Sequence, residues 1–216
     1  MNRRRDSEKH NKVKDTHSRI REDIRSRLEE FARIREQGSE AEIFAELVFC
    51  ILTPQCKAES CWSTVEALRN RDLLFLGNTR QLADLLIKSI RFHNNKARCI
   101  VKARKRLLRL LTLLKSHASP RDLREWLVKN IAGLGYKEAG HFLRNMGLGH
   151  DLAILDRHIL RTLVEHQIIP AIPSTLTKKR YLEIEEKMRG WAKALDMPLS
   201  HLDMVLWHLA RGTIFK

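Results

Sequence analysis

Hydrophobic residues recur along this chain at spacings of three and four, the period of an α-helix with one buried face. Ile20, Ile24, Leu28, Phe31 and Ile34 predict a first helix that Gly38 ends. Residues 41–52, AEIFAELVFCIL, are apolar almost throughout and predict a buried helix. Thr53-Pro54-Gln55 interrupts the pattern, and a helix resumes near Lys57 and runs to about Leu68. Further helices are expected over 79–90 and 95–115, separated by Arg91-Phe92-His93-Asn94. On the second of these, Ile100, Ala103, Leu107, Leu111 and Leu114 share a face. Residues 1–17 are polar and charged without apolar periodicity, and are expected to be frayed.

The second half carries stronger punctuation. Ser119-Pro120 has the form of an N-cap followed by proline at the first helical position. A turn with glycines at 133 and 135 precedes a helix from about Tyr136 to Asn145, and Gly147-Leu148-Gly149 breaks the chain again. Asp156 is placed to open a helix with Ile159, Leu160 and Leu163 on its apolar face. Residues 168–173 read as a loop, and two last helices are expected over 177–195 and 200–211. The fold class is therefore all-α, which also suits a composition with few glycines and prolines.

Charge narrows the range of partners. Lys and Arg number 41 against 26 Asp and Glu, a net +15. Such an excess points to a polyanion: nucleic acid first, an anionic membrane surface second. The excess is also clustered, since residues 85–121 contain eleven Lys or Arg and no acid. No stretch approaches the roughly 18 apolar residues of a membrane span, and no apolar segment follows the charged start as in a secretory signal. A soluble intracellular protein is expected. The cysteines, Cys50, Cys56, Cys61 and Cys99, lack the short regular spacings of a zinc or iron–sulfur site, so no metal and no cofactor are expected.

The most informative stretch is Val128–Asn145, VKNIAGLGYKEAGHFLRN. Glycine brings bare backbone N–H groups close to a ligand. A helix beginning just after Gly133 and Gly135 adds its own amides at the same place, an arrangement that binds phosphate. An ordinary helix–turn–helix connection would look similar. Lys137 could serve there as a phosphate contact, and Asp156 as a plain N-cap.

IAGLGYKEA resembles the helix-hairpin-helix of the DNA glycosylase superfamily that includes endonuclease III. In its lyase-competent members the lysine after the second glycine is the nucleophile, here Lys137. An Asp about twenty positions later is the second catalytic residue; LAILDRHIL supplies Asp156, 156 − 137 = 19 positions on. From ILTPQCKA through RFHNNKA to the terminal IFK, the chain is similar to the type-2 8-oxoguanine DNA glycosylases found mainly in archaea. Members often carry a basic residue before the first hairpin glycine, where this chain has Ala132.

The resemblance implies two helical subdomains with a cleft between them: residues 43–147, and residues 1–42 packed with 148–216. It implies a bifunctional DNA glycosylase and AP lyase acting on duplex DNA that contains 8-oxoguanine or abasic sites. A neutral lysine amine would attack C1′, form a Schiff base and permit β-elimination. Asp156 would stabilise the cationic sugar. Phe92 and Trp207 would sandwich the extruded base, and Gln55 would fill the gap it leaves. Arg91, His93, Lys96 and the Gly133 and Gly135 amides are candidate phosphate contacts. The terminal carboxylate of Lys216 would accept a hydrogen bond from N7–H, which 8-oxoguanine has and guanine lacks. An endonuclease III-like enzyme for oxidised pyrimidines and a non-enzymatic hairpin module stay open as alternatives.

Overall fold

The computed structural model describes residues 2–214, with side chains from His10 onward. Among the described residues there are twelve helices and no strand. Helix α1 spans Asn2–Gln37, which corrects the expectation of a frayed 1–17. Val13 and Thr16 are buried. His10 meets His166 and Trp191 edge-on, and His17 Nε2 lies 2.9 Å from His201 Nδ1. The packed seam of this segment combines the half-buried imidazoles with a buried valine and threonine, so it has a helical period without an apolar one.

Helix α2 (Glu40–Leu52) opens at Ser39. The Ser39 hydroxyl accepts from the Glu42 N–H, and the Glu42 carboxylate accepts from the Ser39 N–H, a reciprocal cap. From Ile43 to Leu52 every residue is buried. The next helices are α3 (Ala58–Arg69), the single turn α4 (Leu73–Leu76), and α5 (Thr79–Leu86). The expected helix over 95–115 is two helices, α6 (His93–Arg104) and α7 (Leu107–Leu114). Neither glycine nor proline marks the break. At the end of α6 the Arg104 guanidinium donates to the carbonyls of Leu73, Leu74 and Gly77 at 2.5 to 2.8 Å, capping α4. Ile100, Ala103, Leu107, Leu111 and Leu114 are all buried, as their spacing predicts.

The remaining helices are α8 (Pro120–Asn130), α9 (Tyr136–Asn145), α10 (Arg157–Glu165), α11 (Lys178–Ala194) and α12 (Leu199–Arg211). Ser119 caps α8 by accepting from the Asp122 N–H at 3.1 Å. Buried apolar residues form two cores. One gathers side chains between Ile43 and Leu152; the other joins Val13–Phe31 of α1 to residues 153–206. Arg124 on α8 ties them together: it binds Glu185 of α11 through two hydrogen bonds of 2.5 and 2.9 Å. Glu185 also accepts from the Ala153 N–H at 2.9 Å.

The His17–His201 contact makes stability depend on pH. Burial, then His17 and Arg21, hold the His201 imidazole down to about 4 from 6.5. The folded protein therefore keeps this ring neutral where the unfolded chain protonates it. Stability present above pH 6.5 is lost as the pH falls toward 4. Allowing for solvent screening, the contribution is about 1–2 kcal/mol. We expect His201→Gln to flatten the fall in Tm over that range, measured by thermal melts. Parallel curves for variant and wild type would remove His201 as its source.

Candidate active site

A cavity of about 760 Å³ opens between the two cores. On the first core's side it is walled by the turn after α2, by Arg91, and by one face of α9. That face carries Lys137, Glu138, His141 and Arg144, at helical spacing. On the other side stand Ile154–Ile159 and, from α12, Asp203, Trp207 and Arg211.

The hairpin sets the start of α9. Gly133 has φ +89°, and a Cβ there would lie 3.1 Å from the Cys99 sulfur, so conformation and space both call for glycine. Gly135 has an ordinary φ of −95°. Its N–H, expected to face a phosphate, donates to Glu138 Oε2 at 3.0 Å. Glu138 Oε1 lies 3.2 Å from Lys137 Nζ, with the two side chains 12% and 21% exposed. The lysine is thus held in the cavity wall by the carboxylate of the next residue.

Asp156 is the N-cap of α10 and also lines the cavity. Its Oδ1 accepts from the His158 and Ile159 N–H groups at 2.7 and 2.8 Å. Deeper in, Arg144 Nη1 lies 3.0 Å from Asp203 Oδ2, with both side chains buried. Burial raises the Asp203 carboxyl to about 6; Arg144 lowers it, and the Asp156 charge raises it further.

Gln55 and Phe92 share an unusual backbone. Both have φ +58°, a left-handed conformation that costs a non-glycine residue about 1 kcal/mol or more. Both are exposed, Phe92 by 55%. Lys96 and Cys56 tie the two turns together. Lys96 Nζ donates to the carbonyls of Leu52 and Pro54 at 2.8 Å and approaches Cys56 Sγ at 3.3 Å. The Lys96 backbone N–H donates to the Phe92 carbonyl at 3.0 Å, and the Arg91 N–H to Cys56 Sγ at 3.2 Å. Lys96 as a phosphate contact is therefore corrected: it is 5% exposed, with its ammonium spent inside the protein. Arg104 of the same basic stretch is also spent internally, whereas Lys88, Arg91, Arg98, Lys102, Lys105, Arg106 and Arg109 are exposed.

The cavity brings together Gln55, Arg91, Lys137, Asp156 and Trp207. Trp207 is half-buried, between His158 edge-on at 5.9 Å and the Arg211 guanidinium at 6.0 Å. Phe92 and His93 follow Arg91 outside the cavity lining, as do Gly133 and Gly135 in the hairpin. Phe215 and Lys216 lie outside the described residues, and the expectation for Lys216 with them. Glu138, His141, Arg144 and Asp203 also line the cavity and are not among the residues expected from sequence. His141 and Arg144, at i+4 and i+7 from Lys137, could have been found as its helical face; Asp203, among apolar residues of α12, had no comparable signal. Among the described residues, no group of three or more His, Cys, Asp or Glu is placed to hold a metal ion. No helix among them is long and apolar enough to cross a membrane.

An all-helical chain with a glycine hairpin leading into a cavity between two helical cores has the helix-hairpin-helix glycosylase fold. The family model described as 8-oxoguanine DNA glycosylase matches residues 24–197, and the chain belongs to that family. The 8-oxoguanine DNA glycosylase/AP lyase of Fusobacterium nucleatum is 42% identical, over 95% of this chain and 97% of its own. The crystal structure of the Thermotoga maritima 8-oxoguanine DNA glycosylase superposes with a TM-score of 0.90 at 36% identity, over 98% and 100% of the two chains. The Methanocaldococcus jannaschii 8-oxoguanine glycosylase/lyase, solved with a 15mer DNA containing 8-oxoguanine, gives 0.88 at 36% identity, over 96% and 99%.

The internal place of Lys96 has a measurable consequence. Lys96→Met removes two buried hydrogen bonds from a charged donor, and should destabilise the protein by about 2–4 kcal/mol. With the turn that carries Gln55 no longer held, base excision should fall. The salt dependence of duplex binding should keep its slope, because no phosphate contact is lost. A slope reduced by about one counterion would show that Lys96 touches DNA after all.

Proposed function

We propose that this protein is a base-excision DNA glycosylase and AP lyase that removes 8-oxoguanine from duplex DNA, with Lys137 as nucleophile and Asp156 as its carboxylate partner. The observation that carries this reading is Lys137 in the first turn of α9, in the wall of a cavity that also holds Asp156 and Trp207. The glycosylase/lyase named for the Methanocaldococcus relative, solved with 8-oxoguanine DNA, supports the substrate. The exposed basic residues of 85–121 follow the phosphate backbone. The two cores act as two subdomains, 43–147 and 1–42 with 148–216, that hold the duplex across the cleft. The protein works as a cytoplasmic monomer.

The lesion base is extruded and stacked on Trp207, with Phe92 as the opposite face of the sandwich. Gln55, held forward by its strained turn, fills the gap left in the duplex. The neutral Lys137 amine attacks C1′ as the bond to the base breaks, and the base leaves with that electron pair. The Asp156 carboxylate offsets the positive charge that develops on the sugar. Ring opening gives a Schiff base, which acidifies the 2′ hydrogen; its loss expels the 3′ phosphate.

Lys137→Gln should abolish base release and strand cleavage on an 8-oxoguanine duplex, with the Kd for that duplex changed by less than about threefold. Single-turnover product analysis and a binding titration check this together. A variant that still releases the base at the wild-type rate would exclude Lys137 as nucleophile.

A further inference from the structure

Lysine is an ammonium ion at neutral pH, with a reference pKa of about 10.4, and an ammonium ion has no lone pair to attack with. Some group must take its proton. Asp156 is the partner that the family pattern implies, but its Oδ1 is engaged by two N–H groups of α10. The carboxylate in contact with the Lys137 amine is that of Glu138, whose Oε1 lies 3.2 Å from Nζ. Its other oxygen is fixed by the Gly135 N–H at 3.0 Å. The side chain is thus anchored at one end on the hairpin backbone and set at the other end on the amine. Both groups line the cavity and are already mostly covered, so a nucleotide filling the cavity would displace the remaining water.

We infer that Glu138 is a further catalytic residue, whose Oε1 takes the proton from Lys137 and so delivers the neutral amine to C1′. This rests on Lys137 being the nucleophile. One N–H bond of the ammonium breaks and one O–H bond forms on the carboxylate; no electron is gained or lost. The freed lone pair then makes the C1′–N bond, and the proton on Glu138 returns to solvent at turnover. Two opposite charges become two neutral groups just as water leaves, the direction that desolvation favours. The labour is divided: Glu138 serves the amine, and Asp156 serves the sugar cation.

Glu138→Gln separates this role from a structural one. Glutamine fills the same capping position, so it still accepts from the Gly135 N–H, but it does not take a proton. Single-turnover base release is measured from about pH 6 to about pH 9.5. At pH 7 the variant should be about 10- to 100-fold slower than wild type. Its rate should climb with pH as hydroxide takes over removal of the proton, so that the gap narrows. Tm and duplex affinity should stay close to wild type. Glu138→Asp keeps a proton acceptor and should retain the wild-type shape of the pH profile at a lower height.

An unchanged profile for Glu138→Gln would overturn the proposal. So would a faster rate at neutral pH, because losing the neighbouring negative charge by itself favours the neutral amine. An alkaline-climbing profile for Glu138→Asp would contradict it as well. Lys137→Gln, assayed alongside, tells the two failures apart. If that variant is inactive, the Glu138 results bear on Glu138 alone; if it still releases the base, the nucleophile assignment and this proposal fall together.

Discussion

The buried ion pair between Arg144 and Asp203 fixes the two walls of the cleft against each other. Arg144 belongs to α9 and Asp203 to α12, with 3.0 Å between Nη1 and Oδ2. The same guanidinium reaches Asn145 Oδ1 at 3.3 Å and lies 5.6 Å over the Phe31 ring of α1. Asn145 in turn donates to Glu46 of α2 at 2.9 Å. One network therefore joins four helices drawn from both cores. A buried pair adds little net stability, but leaving either charge alone costs about 3–5 kcal/mol. The register of α9 against α12 is held by that penalty. Burial works against both charges, lowering the Arg144 pKa and raising that of Asp203.

The proposed reacting groups are placed from that joint. Lys137 stands seven residues before Arg144 on α9, about 10 Å along the axis at 1.5 Å per residue. Trp207 stands one turn beyond Asp203 on α12. Asp156 is set by the segment before it: the Tyr181 hydroxyl donates to the Ala153 carbonyl at 2.7 Å and accepts from the Leu155 N–H at 3.3 Å. Glu185, held by Arg124, takes the Ala153 N–H. The lysine, the carboxylate and the aromatic face thus line one cavity from hydrogen-bonded elements, as positioning of the proposed reacting centre requires.

Most helices were legible because their signals are local. The apolar run of α2, the Ser119-Pro120 start and the Asp156 cap each rest on residues within one turn. That Lys137 and Asp156 line one cavity was likewise expected from motif and spacing; their roles as nucleophile and carboxylate partner are the proposal. What escaped depends on residues distant in sequence. The early part of α1 packs through half-buried His10 and His17 and buried Val13 and Thr16, which together carry no apolar period. The break between α6 and α7 coincides with Arg104 reaching back to α4. Lys96 reads as one more cation in a basic stretch; only the fold shows the carbonyls of Leu52 and Pro54 converging on it. Glu138 lay inside the quoted hairpin motif, but its contact with both Gly135 and Lys137 needs the geometry of the turn.

The central claim is a covalent bond between Lys137 and C1′ of the damaged nucleotide. Borohydride reduction during turnover on an 8-oxoguanine duplex, followed by digestion and mass spectrometry of the cross-linked peptide, tests it most directly. The account predicts that the reduced sugar adduct sits on the peptide containing Lys137, with fragmentation placing it on that side chain. An adduct on any other lysine, or base release with no trappable adduct, would contradict it.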